Sequence, residues 1–173
     1  RSHQDARIAD KQNLPSKIDG IRVATTPQVD GFLMVLRLLY NDTVEEYDLE
    51  PLGYSREQKA SIDLMKRRPI GINIFAGPTG SGKATTLQRA LSSIIKETCG
   101  RRNVITVEDP PEYPFKGAVQ TPVTNATSEE ARLRAFADAI KAAMRLDPDI
   151  LMIGEIRDYA SAQLAFRAAM TGH

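Results

Sequence analysis

The segment Gly77-Pro78-Thr79-Gly80-Ser81-Gly82-Lys83 fits the spacing G-x-x-x-x-G-K, in which a glycine-rich turn cradles the phosphates of a nucleotide. The apolar run 70–76 precedes it, and an amphipathic pattern follows from Gly82. This order predicts a buried strand, a tight turn and a helix, which together direct several backbone N–H groups at one anion. Lys83 adds a positive charge for the β- and γ-phosphates.

The residue after Lys83 departs from the pattern. Ala84 stands where a Ser or Thr hydroxyl normally binds Mg²⁺. Thr85 does not replace that hydroxyl, because neighbouring helical residues point about 100° apart. We expect nucleotide binding with slow or absent hydrolysis. The predicted nucleotide-binding residues are Gly77, Pro78, Thr79, Gly80, Ser81, Gly82, Lys83, Ala84, Thr85 and Thr86.

Composition is that of an ordinary globular chain. Its 173 residues are 42% hydrophobic and 26% charged, with a net charge of +1. This near-neutral charge argues against a nucleic-acid partner. No apolar run is long enough to span a bilayer, and no signal peptide is visible. The single cysteine, Cys99, and the two histidines, His3 and His173, indicate neither a disulfide nor a metal site, which suits the cytosol.

Two regions differ in pattern. Residues up to 40 are rich in β-formers, and 20–26 with 32–39 read as a hairpin. From Pro51 onward, helical and strand patterns alternate, which predicts an α/β fold with a mostly parallel sheet. Besides the run 70–76, the predicted elements are a helix opened by Ser55 and Gln58, a helix ending at Gly100, strand 104–107, a helix opened by Thr127 and Glu130, strand 150–153 and a helix from Tyr159 to Met170.

Acidic residues follow two of the predicted strands, as Glu108-Asp109 and as Gly154-Glu155. Ligands of open α/β sheets bind outside the carboxyl ends of the strands, so we expect these acids to converge with the phosphate loop. A carboxylate there can hold Mg²⁺ directly or through water, or orient the water that attacks the γ-phosphate. The alternatives are a turn before the prolines at 110–111 and a solvated charge cluster at 155–158.

These motifs resemble those of the traffic ATPases of type II secretion and type IV pilus assembly. The similarity extends over nearly the whole chain, and the motifs occur in the same order. The matching segments are 77–86 (Walker A), 105–113 (Asp box), 146–158 (Walker B), 171–173 (the opening of the His box) and, upstream, 21–27, 35–39 and 52–54.

The resemblance implies a hexameric, Mg²⁺-dependent ATPase with a PAS-like α+β domain before a RecA-like P-loop core. Residues 1–50 then correspond to the C-terminal part of the first domain, and 51–173 to a core that stops at the His box. By the same resemblance, Glu108 is the general base and Glu155 helps to hold Mg²⁺ through water. Arg22 and Arg37 are candidates for arginine fingers across a subunit boundary, or they form ordinary ion pairs.

The chain also departs from that family. Phe32-Leu33 follows Gly31 where the family has Gly-Glu-Arg, and Ala160 replaces a glutamate of the Walker B segment. One expected arginine is therefore absent from the hairpin. Ala84 is the most serious departure, because phosphate binding by backbone amides and Lys83 should survive it whereas metal placement should not.

We therefore expect an ATP-binding motor subunit that drives pilin or pseudopilin assembly. The resemblance places it in the cytoplasm, peripheral to the inner membrane, as a homo-hexamer that contacts an inner-membrane platform protein. Alternatives within the superfamily are a conjugation or type IV secretion ATPase and a pilus-retraction motor. A non-hydrolysing nucleotide-binding assembly subunit is the alternative from another class, and a DNA translocase is disfavoured by the charge.

Overall fold

The structure, a computed structural model, describes residues 4–8, 13–16, 18–40, 52–111, 116–123 and 128–173. The chain divides into two compact units, Arg1–Glu45 and Glu46–His173. The predicted boundary at residue 50, the predicted cap Thr127, His3 and residues 112–113 of the second motif lie outside the described residues. None of the described helices has the length and apolar character needed to cross a membrane.

The first unit contains an antiparallel sheet of strands β1 (Gln4–Ile8), β2 (Ile18–Gln28) and β3 (Gly31–Tyr40), in the order β1-β2-β3. Strands β2 and β3 form the predicted hairpin, which is therefore confirmed. The register pairs Gln28 with Gly31 across a two-residue turn. It also places Arg22 directly opposite Arg37, so their side chains leave the same face of the sheet.

The second unit alternates helices and strands. Its elements are α1 (Arg56–Arg67), α2 (Lys83–Glu97), β4 (Val104–Glu108), β5 (Ala118–Pro122), α3 (Glu129–Ala143), β6 (Ile150–Ile153) and α4 (Tyr159–Met170). The strands form a sheet in the order β5-β4-β6, and both neighbouring pairs are parallel. The predicted α/β class with a parallel sheet is confirmed.

Strand β4 is buried along its whole length because helices cover both of its faces. On one face, Val104 packs against Leu91 and Ile94 of α2. On the other face, Ile105 and Val107 pack in a cluster with residues of α3, including Phe136 and Ile140, and with Leu164 of α4. Helix α2 and the pair α3–α4 therefore lie on opposite faces of the sheet.

The helix ends follow local sequence signals. Ser55 accepts a hydrogen bond from the Gln58 N–H at 3.2 Å, and the Ser55 N–H donates to the Gln58 side chain at 2.9 Å, so the predicted capping box is present. Gly100 has a φ of +70° and donates to the Ile95 carbonyl at 2.8 Å beyond the end of α2, as predicted. Ser128 caps α3 by accepting from the Ala131 N–H at 3.2 Å.

The predicted strand over 70–76 is wrong. Residues 71–78 have no regular secondary structure, and Ile70 and Ile74 are 60% and 66% exposed. A strand forms only when its backbone N–H and C=O groups pair with a neighbouring strand. Strand β6 pairs with β4 on one edge, and no described strand pairs with the segment 70–76. The segment is apolar, but the described part of the chain contains no strand that pairs with it.

Candidate nucleotide-binding site

The glycine-rich loop 77–82 leads directly into α2. Gly82 is the residue that caps the helix, and its φ of +84° is left-handed, which is why a glycine suits this position. It provides no side-chain cap, so the N–H groups of the first turn of α2 receive no side-chain acceptor from the capping residue. Unoccupied N–H groups at a helix start attract anions.

Lys83 folds back over this loop. Its Nζ donates hydrogen bonds to the carbonyl oxygens of Gly77 and Pro78, both at 2.8 Å. The Ser81 N–H closes a turn on the Pro78 carbonyl at 3.3 Å. The loop residues are exposed, so the lysine ammonium group and the start of α2 are open to a ligand from solvent.

Thr86 carries a hydroxyl group near the start of α2. It is buried, and its Oγ1 donates to the Gly82 carbonyl at 2.9 Å and lies 2.6 Å from the hydroxyl of Tyr54. The Thr86 hydroxyl is therefore engaged with protein groups and does not replace the oxygen that Ala84 lacks.

The ends of β4 and β6 lie side by side. The register pairs Val107 with Ile153, and the Gly154 N–H donates to the Val107 carbonyl at 2.8 Å. A Cβ atom on Gly154 would lie 3.3 Å from Glu108 Cγ, so only glycine fits here without displacing that side chain. The predicted acids at these two strand ends thus lie at one edge of the sheet.

Glu108 is buried at this edge, with 7% exposure. Its Oε1 accepts hydrogen bonds from Thr106 Oγ1 at 2.5 Å and from Gln120 Nε2 at 3.1 Å. Because Val104 packs against α2 and strand residues alternate in direction, Glu108 lies on the α2 face of the sheet. The candidate general base is therefore on the same face as the helix that begins with Lys83.

Asp109 and Glu155 line a narrow cleft together with residues of α3 and α4, including Phe136 and Ser161. Arg132 of α3 donates two hydrogen bonds to the Asp109 carboxylate, from Nε at 2.5 Å and from Nη2 at 3.0 Å. Arg157 pairs with Glu155 at 2.7 Å. Each of these carboxylates therefore has a cationic partner.

The structure brings Glu108, Asp109 and Glu155 to one sheet edge, but it joins none of them to the loop. Across the described ranges, no hydrogen bond or ion pair links residues 77–83 to these acids. The described residues also contain no group of three or more acidic, histidine or cysteine side chains arranged to hold a metal ion. His173 instead lies with its Nδ1 3.0 Å from the Pro148 carbonyl oxygen.

Arg22 and Arg37 form a like-charged cross-strand pair in the first unit. No acidic partner of either is found among the described residues, and Arg22 is half-buried. Like charges directly opposite each other destabilise a sheet. The two arginines therefore concentrate positive charge on one face of the sheet of the first unit.

An ion-pair network ties the far end of α2 to α1. Lys66 Nζ contacts Ser93 Oγ at 2.6 Å, Glu97 Oε1 at 2.8 Å and Asp63 Oδ1 at 3.1 Å. Burial works to lower the pKa of Lys66, but hydrogen bonds and charge from Glu97 and Asp63 outweigh it and hold that pKa above its usual value. Hydrogen bonds from Lys66 and Ser93 lower the pKa of Glu97.

Neither Gln120 nor Arg132 belongs to a sequence motif that predicts a site residue. Tyr54 belongs only to the upstream segment 52–54 that resembles the family. Gln120 lies in β5, a strand that was not predicted. Arg132 reaches Asp109 across 23 positions and Tyr54 reaches Thr86 across 32. Local periodicity contains no signal for contacts of that separation.

Comparison with known proteins agrees with these motifs. The profile of the family described as Type II/IV secretion system protein matches residues 1–173. The chain belongs to this family. The resemblance inferred from the motifs is therefore confirmed.

Several relatives match the whole chain. It is 42% identical to type II secretion system protein E of Pectobacterium carotovorum, 43% identical to type II secretion system protein HxcR of Pseudomonas aeruginosa and 38% identical to type II secretion system ATPase E of Vibrio cholerae. The alignments cover 32%, 34% and 32% of those proteins. The chain thus spans about a third of the length of these Type II/IV secretion system relatives.

A solved structure of the ATPase DotB of Legionella pneumophila has the same fold. It superposes with a TM-score of 0.67 at 27% identity, over 99% of this chain and 46% of that chain. This similarity agrees with the α/β class.

Proposed function

We propose that this chain is part of the ATP-binding motor subunit of a type II secretion or type IV pilus assembly machine. The observation that carries the proposal is the loop 77–82. It leads into α2 at the helix cap Gly82, Lys83 folds back over it, and α2 packs on a parallel sheet. The anion-binding capacity of this helix start suits the phosphates of ATP.

The acids at the sheet edge supply the groups that hydrolysis needs. Glu108 is buried on the α2 face, where its carboxylate can orient a water molecule for attack on the γ-phosphate. Glu155, at the end of β6, is suited to holding a water ligand of Mg²⁺. Mg²⁺ keeps several waters and uses few protein carboxylates, so the chain's oxygen donors fit this ion without a cluster of acids.

Arg22 and Arg37 are proposed to meet phosphate charge across a subunit boundary. Two guanidinium groups that leave the same face of a sheet at opposed positions repel each other. A bound phosphate relieves that repulsion through charge-assisted hydrogen bonds. This role requires a second copy of the protein, which agrees with the proposed homo-hexamer on an inner-membrane platform.

Ala84 is proposed to weaken metal placement more than nucleotide binding. The loop amides and Lys83 bind phosphate without position 84, whereas the direct oxygen ligand of Mg²⁺ normally comes from that position. A non-hydrolysing nucleotide-binding subunit is therefore the second candidate function, and Ala84 is the observation that favours it.

The test is an ATPase assay on the full-length protein, with and without Ala84→Ser. Serine restores the hydroxyl, so we expect the hydrolysis rate to rise at least about tenfold while the affinity for a non-hydrolysable ATP analogue changes little. Ala142→Ser, on an exposed position of α3, is the matched control and should change neither quantity. An unchanged rate in Ala84→Ser would remove position 84 as the cause of slow hydrolysis.

A further inference from the structure

Tyr54 begins a chain of hydrogen bonds that ends at the phosphate loop. Its hydroxyl lies 2.6 Å from Thr86 Oγ1, which in turn lies 2.9 Å from the carbonyl oxygen of Gly82. The Gly82 carbonyl can only accept, and the threonine hydroxyl has one proton to donate. The arrangement that satisfies all three groups has Tyr54 donating to Thr86, and Thr86 donating to Gly82.

This chain fixes the direction of one peptide group. The Gly82 carbonyl and the Lys83 N–H belong to the same planar peptide unit and point in opposite directions. Anchoring the carbonyl toward Thr86 and Tyr54 therefore aims the Lys83 N–H away from the helix, toward the loop. The Thr86 N–H donates to the same carbonyl at 2.9 Å and strengthens the anchor.

Tyr54 is itself held in place. Its ring packs in a cluster with Ile62 of α1 and Ala90 of α2, together with Leu52 and Met65. The hydroxyl therefore reaches Thr86 from a fixed position, and Thr86 is only 3% exposed, so few water molecules are available as a substitute donor. A linear chain of hydrogen bonds in such a setting also polarises each of its members.

We infer that Tyr54 is a positioning residue for phosphate binding, which acts through Thr86 on the peptide between Gly82 and Lys83. The inference rests on the proposed function, because it concerns the same nucleotide site. Tyr54 sets the orientation of an N–H donor before the ligand arrives, and a pre-oriented donor binds more tightly than one that must reorient.

The test measures binding of two ligands to the full-length protein, ADP and inorganic pyrophosphate, by displacement of a fluorescent ADP analogue. Tyr54→Phe should weaken both ligands by the same factor, about three- to tenfold, the effect expected for one hydrogen bond. Equal losses are expected because the loop contacts phosphate, which both ligands contain, and not the base or the ribose.

Two further variants separate this role from a general loss of structure. Thr86→Val removes the middle of the chain and should cause a similar loss, and adding Tyr54→Phe to it should cause little further loss. Lys66→Met removes the polar contacts of α1 with Ser93 and Glu97 of α2, far from the loop. It should lower the thermal midpoint without changing either affinity.

The outcomes are distinct. Unchanged affinities in Tyr54→Phe, or a loss for ADP but not for pyrophosphate, overturn the inference and leave the proposed function intact. An equal loss in Lys66→Met also overturns it, because the effect would then come from helix docking. If the unsubstituted protein binds neither ligand, the proposed function fails, and the inference fails with it.

Discussion

The sheet edge and the phosphate loop differ in how the protein supports them. At the edge, Glu108 is buried at the end of β4, and Asp109 and Glu155, which follow β4 and β6, are each paired with an arginine. The loop is exposed, follows a segment without a strand, and bonds mainly to itself through Lys83. The acids are therefore prepositioned by the fold, whereas the loop geometry depends on a few local hydrogen bonds.

This difference has a consequence for mutations. Changes at the edge should affect chemistry and folding together, because the same side chains serve both. Changes in the loop should affect ligand binding with little cost in folding, because the loop buries little surface.

Glu108→Gln should have the largest effect. In the Ala84→Ser background, loss of the candidate base should lower the ATPase rate by about 10²- to 10⁴-fold. The buried amide can still accept from Thr106, so affinity for an ATP analogue should be nearly unchanged. The measurement is phosphate release under saturating ATP. Glu130→Gln, at an exposed position of α3, is the control, and a Glu108→Gln rate equal to that of the control would remove Glu108 from the mechanism.

Arg132→Leu should be the next largest change and should act on folding. It leaves the Asp109 carboxylate, which is 6% exposed, without the two hydrogen bonds that Arg132 donates. The free energy of unfolding should fall by about 2–4 kcal/mol, since an unpaired buried charge remains. Urea denaturation measures this, and the double variant Arg132→Leu/Asp109→Leu should recover part of the loss. No recovery would show that the pair does not act as a unit.

Lys83→Met should lower affinity for ATP analogues by about 10- to 100-fold, the effect of losing a charge-assisted hydrogen bond to phosphate. The thermal midpoint should change little, because the hydrogen bonds of the ammonium group to the described residues go to exposed loop carbonyls. Isothermal titration calorimetry checks the affinity. Lys141→Met, which removes an exposed lysine paired with Asp138, is the control. A large loss of stability in Lys83→Met would show that the loop is a structural element after all.

The ion pair between Lys66 and Glu97 should have the smallest effect. The folded-state pKa of Glu97 is lowered, so its stabilising contribution is present above the ordinary value of 4.5 and is lost as the pH falls through the lowered value. Glu97 is 61% exposed, so the contribution should be below about 1 kcal/mol. Urea midpoints of the unsubstituted protein and Glu97→Gln should differ at pH 7 and converge as the pH falls below the lowered pKa of Glu97. A constant difference would contradict this assignment.

The sequence predicted those elements whose partners are local or periodic. The capping box at Ser55, the end of α2 at Gly100, the buried strand β4 and the half-buried strand β6 all follow from short patterns, and they are present. The prediction of a strand at 70–76 is wrong because strand pairing depends on a neighbouring strand that apolar composition does not specify. Strand β5 was missed because its residues, such as Val119 and Gln120, carry no dense apolar pattern and become a strand only beside β4.

The site divides in the same way. The loop, Glu108 and Glu155 could be found from motifs, because each follows a recognisable apolar run or glycine pattern. The groups that position them could not be found in this way. Arg132 holds Asp109, and Tyr54 reaches the loop, only once the helices have packed. Contacts between separate helices and strands arise from tertiary packing and cannot be predicted from local sequence periodicity.

The most direct test is a crystal structure of the full-length protein with Mg²⁺ and a non-hydrolysable ATP analogue. A single metal–phosphate centre should be seen, with the γ-phosphate within hydrogen-bonding distance of Lys83 Nζ and the carboxylates of Glu108 and Glu155 within one water molecule of that phosphate or its metal ion. A triphosphate bound away from Lys83, or either carboxylate on the far side of the sheet from it, would contradict the account.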